Sequence, residues 1–308
     1  MFLMLKLFQY IVQLNEGTGL RNMIKILITG CDGFIGKELS KYLYLQGYSI
    51  YGLGRRKETE NRYLTRYYCI DIGEPFYIQE RFWTVIHLAT LHRTNIIGES
   101  ISYEEYYRVN VTGTKNLIES CNADQLIYLS SANIYDKSEK EVNEDSKINP
   151  HNDYEKTKYL GEQMCQNNWK RDLLILRPVN ISGFSQKTDA IIPVFFRNAI
   201  EGKTIHIFVA NNKELQILSS KDLCEFILLA IEKRIKGIYN LANSDHVSIT
   251  QLAEKIKHIC SSNSRIITSN NKSENPSKVI CQKAYNDTSW SVKESIDSII
   301  NDYYQNYE

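Results

Sequence analysis

An apolar run, Ile24-Lys25-Ile26-Leu27-Ile28-Thr29, leads directly into Gly30-Cys31-Asp32-Gly33-Phe34-Ile35-Gly36, and Lys37-Glu38-Leu39-Ser40-Lys41-Tyr42-Leu43 then opens a helix. A near-continuous apolar run of this length predicts a strand buried on both faces. Strand, glycine turn and helix N-terminus in that order make an anion site. The free N–H groups of the first helical turn and the helix dipole converge there. The glycines let the chain turn tightly and let a pyrophosphate approach the backbone. The first two stand three apart, so the spacing is GxxGxxG, not GxGxxG.

Strand and helix alternate from residue 23 to about 180. Further strands are expected at 48–53, 66–70, 83–89, 125–129 and 173–176, with helices over 102–121 and 154–169. Strands spaced by helices predict an α/β fold with a Rossmann-type, doubly wound parallel sheet, here over 23–180. After Arg177-Pro178 the pattern loosens. Helices are expected at 191–202, 221–233, 249–260 and 291–304, strands at 204–209, 237–241 and 265–268, and a polar loop runs over 261–278. Residues 181–308 therefore read as a smaller C-terminal α/β lobe for substrate, able to interleave with the Rossmann domain. Residues 1–22 read as an extension outside the fold. Their apolar part is too short to span a bilayer, and no small-x-small cleavage site follows it. An amphipathic surface helix is the rival reading.

A chain of 308 residues can bury one large core or two smaller ones. A net charge of +1 gives no reason to expect nucleic acid or an acidic membrane as partner. Seven scattered cysteines without a Cys-x-x-Cys pair predict reduced thiols and a cytoplasmic protein. The six histidines show no metal-ligand grouping, so no metal is expected, and His87 reads as a packing residue.

A second motif lies far downstream, in Tyr154-Glu155-Lys156-Thr157-Lys158. Residues four apart share a helix face, so Tyr154 and Lys158 should be neighbours. An ammonium beside a phenol favours the phenolate, which predicts a lowered pKa for Tyr154 and proton transfer near neutral pH. Upstream, Leu126-Ile127-Tyr128-Leu129-Ser130-Ser131 is a β-rich run ending in two hydroxyls, one of which could hold a substrate oxygen within reach of the tyrosine.

With these motifs together, the chain resembles the extended short-chain dehydrogenase/reductases, the NAD-dependent epimerase/dehydratase family acting on nucleotide sugars. The likeness runs from about residue 23 to the C-terminus. It rests on Gly30/Gly33/Gly36, Asp71-Ile72, His87-Leu88-Ala89, Asn110-Val111-Thr112-Gly113-Thr114, Ser130-Ser131, Tyr154/Lys158, Leu176-Arg177-Pro178-Val179-Asn180-Ile181-Ser182-Gly183 and Asn240-Leu241-Ala242. The resemblance implies that Tyr154 is the acid/base at the sugar C4 oxygen. Lys158 would bind the nicotinamide ribose and tune Tyr154. Ser131, 23 residues before Tyr154, would bind the same oxygen. Asp71 would hydrogen-bond the adenine. Ile72, Leu88, Ala89, Thr90 and Pro178, with Asp32, Phe34 and Ile35 of the glycine turn, would complete the cofactor contacts. Asn180 would touch the substrate diphosphate, and Asn133 would join the substrate site. The resemblance also implies a homodimer through helices 103–121 and 154–169.

Departures from the family pattern narrow the reaction. An Asp-Glu pair follows the catalytic threonine in the family's 4,6-dehydratases; here Ala132-Asn133 stand in those places. Neither can act as acid or base across C5–C6, which argues against dehydration. The family's Arg-Asp before the distal strand appears as Leu215-Gln216, although Asp222 is kept. NAD enzymes usually carry an acid at the end of the second strand for the ribose 2′-hydroxyl. Here Gly54 is followed by Arg55-Arg56, which predicts NADP(H), with NAD(H) as the other option. The expected activity is NADP(H)-dependent reduction of a nucleotide-linked 4-keto, 6-deoxy sugar. The alternatives are a nucleotide-sugar 4-epimerase with bound NAD(P) and a non-catalytic NADP-binding sensor.

Overall fold

The structure, a computed structural model, describes residues 21–92, 101–186, 190–207, 214–268 and 277–307. Its strands in chain order are β1 (Lys25–Thr29), β2 (Ser49–Gly54), β3 (Arg66–Cys69), β4 (Arg81–His87), β5 (Asn122–Leu129), β6 (Glu141–Val142), β7 (Asp172–Pro178), β8 (Asn180–Ser182), β9 (Ile205–Ile207), β10 (Glu214–Ser219), β11 (Gly237–Leu241), β12 (His246–Ser248), β13 (Ile266–Thr268) and β14 (Lys278–Val279). Seven of them form one parallel sheet in the order β11-β7-β5-β4-β1-β2-β3. The order reverses between β1 and β4, and ligands of such sheets bind in the crevice at the carboxyl ends there.

Burial on both faces explains the apolar strands. Ile26 and Ile28 of β1 point into one core with Leu39, Leu43, Leu223 and Phe226. Leu27 points into the other with Leu117, Tyr128 and Cys165. Helices Phe34–Leu45 and Ser220–Lys233 therefore cover one face, and helices Gly113–Ser120 and Asp153–Asn168 the other. A separate core lies in the second lobe, among helices Ile191–Ile200, Ile249–Ile259 and Ile296–Gln305.

Three sequence expectations are corrected. The helix expected over 102–121 is broken into Tyr103–Tyr107, a π turn at Arg108–Thr112, and Gly113–Ser120. The π turn presents the Asn110 amide to Leu91, whose N–H it accepts at 2.7 Å, and such turns cluster at functional sites. In addition, the seventh strand of the main sheet, β11, comes from beyond residue 180 and pairs with β7. The final helix begins at Ile296, capped by Ser295, because Lys293 N–H and Glu294 N–H are held instead by Asp222. Arg21 and Asn22 are tied to the fold rather than outside it: Arg21 pairs with Glu232 at 2.9 Å, and the exposed Asn22 accepts the Ser49 hydroxyl at its carbonyl. Residues 1–20 of the expected extension, and 208–209 of one expected strand, lie outside the described residues. Among the described residues no helix is long and apolar enough to cross a membrane, and no group of three metal-ligating side chains occurs.

Candidate active site

The glycine turn closes β1 against β4. Gly30 takes φ +68°, and a Cβ there would lie 2.9 Å from the Ala89 nitrogen. A Cβ on Gly36 would lie 2.2 Å from the Gly30 carbonyl oxygen. The helix Phe34–Leu45 starts at Gly33 with no side-chain cap, which leaves the N–H groups of Phe34, Ile35 and Gly36 for an outside acceptor. This side-chain-free cradle at a helix N-terminus fits a dinucleotide pyrophosphate.

Behind it runs a buried polar chain that sequence reasoning missed. Thr29 Oγ1 accepts the N–H groups of Leu88 and Ala89 at 3.2 and 3.0 Å, which shapes the loop after β4. The same hydroxyl lies 2.8 Å from His87 Nδ1, and His87 Nε2 lies 2.9 Å from Thr114 Oγ1. Thr114 gives its only proton to the Asn110 carbonyl at 2.8 Å. That donor count assigns the imidazole proton to Nε2, with Nδ1 accepting from Thr29. Burial, and secondarily the charge of Lys158, pushes the His87 pKa down to about 3, so it stays neutral. Only the spacing of Thr114 from Asn110, one helical turn, hinted at this arrangement.

Asp71 and Ile72 sit just past β3. Asp71 Oδ1 accepts Gly73 N–H at 2.9 Å, and Arg108 of the π turn binds Oδ2 at 3.1 Å. Burial alone would push this carboxyl up; the Gly73 bond, Arg108 and the Arg55 charge outweigh it and hold it down. Thr90 donates to the Asn110 amide oxygen at 3.0 Å, and Pro178 ends β7 in a buried position. Arg55 and Arg56 are exposed beyond Gly54, where the Arg56 carbonyl accepts the Tyr67 hydroxyl at 2.8 Å.

Asn152 caps the helix Asp153–Asn168 by accepting Glu155 N–H at 2.9 Å, and Tyr154 and Lys158 follow one turn apart. Lys158 is buried. Its ammonium donates to the Leu129 carbonyl at the end of β5 and lies 4.4 Å from the Tyr128 ring centroid. Burial lowers its pKa to about 8. The buried Ser131 stands two residues beyond Leu129. Its oxygen accepts Asn133 N–H at 3.2 Å, which leaves its O–H to donate. The short turn Ala132–Ile134 packs on the Tyr154 helix. The Tyr154 ring meets His92 edge-on at 4.7 Å and Tyr106 at 6.3 Å. The expected lowering of the tyrosine pKa is reversed. Burial first, then the Glu155 charge and Tyr106, push the Tyr154 phenol up, while Lys158 directs its ammonium at Leu129 and Tyr128.

Of the residues expected at the substrate, Asn133 and Asn180 are exposed and line one small pocket of about 50 Å3 with Tyr135, Lys137 and Ser277. Gln216 also borders it, but its amide serves the backbone. It donates to the carbonyls of Asn243 and Val279 and accepts Val279 N–H at 2.7 Å, joining loops of the second lobe. Below the pocket, Arg177 grips Glu162 through two bonds of 3.0 and 2.7 Å and donates to the Tyr135 hydroxyl at 2.9 Å, which passes on to Asn240 at 2.7 Å. This network ties helix, sheet and lobe behind the site. A larger cavity of about 310 Å3, lined by Tyr77, Trp169 and Arg171, lies at the opposite end of the sheet, away from these groups.

Residues 26–242 match the sequence model of the NAD dependent epimerase/dehydratase family. A dTDP-D-glucose 4,6-dehydratase of Dictyostelium discoideum is 27% identical over 271 residues, 76% of this chain and 62% of that one. The chain thus spans under two thirds of that relative's length. A GDP-6-deoxy-D-talose 4-dehydrogenase of Aggregatibacter actinomycetemcomitans is 27% identical over 259 residues, 77% of this chain and 80% of the other. Among solved structures, the UDP-glucuronic acid 4-epimerase of Bacillus cereus in complex with NAD superposes with a TM-score of 0.79 at 22% identity, over 92% of this chain and 96% of its own. At that identity the likeness is one of fold.

Proposed function

Because the chain belongs to the NAD dependent epimerase/dehydratase family, we propose that it transfers a hydride at C4 of a nucleotide-linked sugar, and that it works as a reductase of a 4-keto, 6-deoxy sugar. The observation that carries this is Tyr154 and Lys158 on one helix face, with Lys158 bonded to the strand end that bears Ser131. A bound nicotinamide dinucleotide would supply the hydride and, when oxidised, a positive charge. Tyr154 Oη would donate the proton to the C4 oxygen, and the Ser131 hydroxyl would hold that oxygen in place. Lys158, whose ammonium is held at the Leu129 carbonyl, would bind the nicotinamide ribose. Asn180 and Asn133 would contact the substrate. The GDP-6-deoxy-D-talose 4-dehydrogenase relative is named for oxidation at the same carbon, and its reverse is 4-keto reduction.

Dehydration lacks support even though a relative is named for it. Ala132 is a buried methyl group and Asn133 an amide, and neither moves a proton near pH 7. A sensor without catalysis gains nothing from keeping Ser131, Tyr154 and Lys158 together. The test is incubation with nucleotide-linked 4-keto sugars under absorbance at 340 nm. A reductase oxidises the reduced cofactor stoichiometrically; no oxidation with dTDP-, GDP-, CDP- or UDP-linked 4-keto sugars refutes it.

The second reading is a 4-epimerase, which uses the same groups and returns the hydride. It is favoured by a carboxylate beside Gly54, from Asp32, which suits a tightly held NAD. NADP(H), the expectation from Arg55 and Arg56, has those two exposed cations in its favour and that carboxylate against it. A homodimer through helices 103–121 and 154–169 is supported by Tyr103 and Tyr107, which are 38% and 41% exposed on the first of these helices. Light scattering at micromolar protein tests it. A cytoplasmic location accords with seven free cysteines.

A further inference from the structure

Gly54 leaves the end of β2 without an acid, yet the structure brings a carboxylate to that place from another element. A Cβ built on Gly54 would lie 2.8 Å from Asp32 Oδ2 and 2.9 Å from the Tyr67 hydroxyl. The space that a side chain at 54 would enter is therefore already held by Asp32 of the glycine turn. Asp32 is fixed there: Thr59 donates its hydroxyl to Oδ1. Thr59 is in turn tied down, because its oxygen accepts Asn61 N–H at 3.0 Å and the Asn61 amide donates to the Cys31 carbonyl at 2.9 Å. The other oxygen, Oδ2, is buried with no hydrogen-bond partner. The Tyr67 hydroxyl stands beside this carboxylate: burial and then the Asp32 charge push its phenol up, and its single proton goes to the Arg56 carbonyl at 2.8 Å. A buried acceptor left without a donor calls for a physical reason, and a ligand hydroxyl is one.

We propose that Asp32 takes the part that an acid at the end of β2 plays in other NAD enzymes: Oδ2 accepts the 2′-hydroxyl of the adenosine ribose, and its charge repels a 2′-phosphate, so the protein selects NAD(H) over NADP(H). This rests on the dinucleotide-site reading above. A charge-assisted bond from the hydroxyl favours one cofactor, and like-charge contact disfavours the other. Arg55 and Arg56 are exposed, so water and salt screen them, and Arg55 already acts on the Asp71 carboxylate.

Calorimetric titration of the purified chain with NAD+ and with NADP+ tests the assignment without any turnover. The wild type should bind NAD+ more tightly. Asp32→Ala should weaken NAD+ on the order of 10-fold or more and tighten NADP+, so the preference ratio moves further than either constant. Asp32→Asn keeps the volume and an acceptor for Thr59, so it should fold as the wild type does and still shift the ratio toward NADP+. A wild type that prefers NADP+, or an unchanged ratio in variants whose melting matches the wild type, overturns the role of Asp32 and leaves the dinucleotide site standing. Binding of neither dinucleotide overturns both.

Discussion

Replacing Lys158 by methionine should make the protein more stable at neutral pH while disabling it. Burial lowers the lysine from its ordinary 10.5 to about 8. At about 1.4 kcal/mol per tenfold change in proton affinity, holding this ammonium charged inside the fold costs about 3 kcal/mol. Methionine fills similar space but leaves the Leu129 carbonyl without its donor, a loss of about 1 kcal/mol. The variant should therefore gain about 2 kcal/mol at pH 7. The sign depends on pH in a defined way. Below about 8 the lysine is charged in both folded and unfolded chains, and the whole penalty is present. Between about 8 and 10.5 the folded chain releases the proton first, so the wild type gains relative to the variant. Above 10.5 the penalty is gone, and the variant should be the less stable by the lost bond alone. Urea unfolding of both proteins at pH 7 and pH 10.5 measures this difference, in which titrating groups remote from Lys158 cancel. A difference that does not change with pH would refute the claim that a charged, desolvated Lys158 is held at the site.

Tyr154→Phe should lower the rate on the order of 10²-fold or more while dinucleotide affinity, by titration, stays within a few-fold. Gly36→Ala would put a Cβ 2.2 Å from the Gly30 carbonyl oxygen and 2.7 Å from Cys31 Cα, both backbone; the turn must open, so dinucleotide binding should fall at least about 10-fold and stability by about 1–3 kcal/mol. Glu162→Gln strands the Arg177 charge in the core and should cost about 3–5 kcal/mol in urea unfolding, whereas Glu162→Met with Arg177→Met should lose less, since the guanidinium is removed together with its partner.

Local chemistry accounts for what could be read from the sequence. The β1 run, the glycine spacing and the Tyr154/Lys158 interval each act within a few residues, where strand burial, turn geometry and helical period leave little freedom. The parallel order of strands followed from their alternation with helices. Pairings across long separations were not legible in this way. Nothing near Gly237 says that it completes the main sheet beside β7, and nothing near Asn110 says that its helix bulges to bond Leu91. The pKa of Tyr154 could not be read either. Spacing places a lysine four residues away, but the packing of Leu129 and Tyr128 decides where the ammonium points, and burial decides the sign. The same holds at the cofactor rim. The sequence determines that position 54 is a glycine followed by two arginines. Tertiary structure alone decides that the carboxylate of residue 32 occupies the space beside it, because the turn after β1 and the end of β2 meet only when the sheet forms.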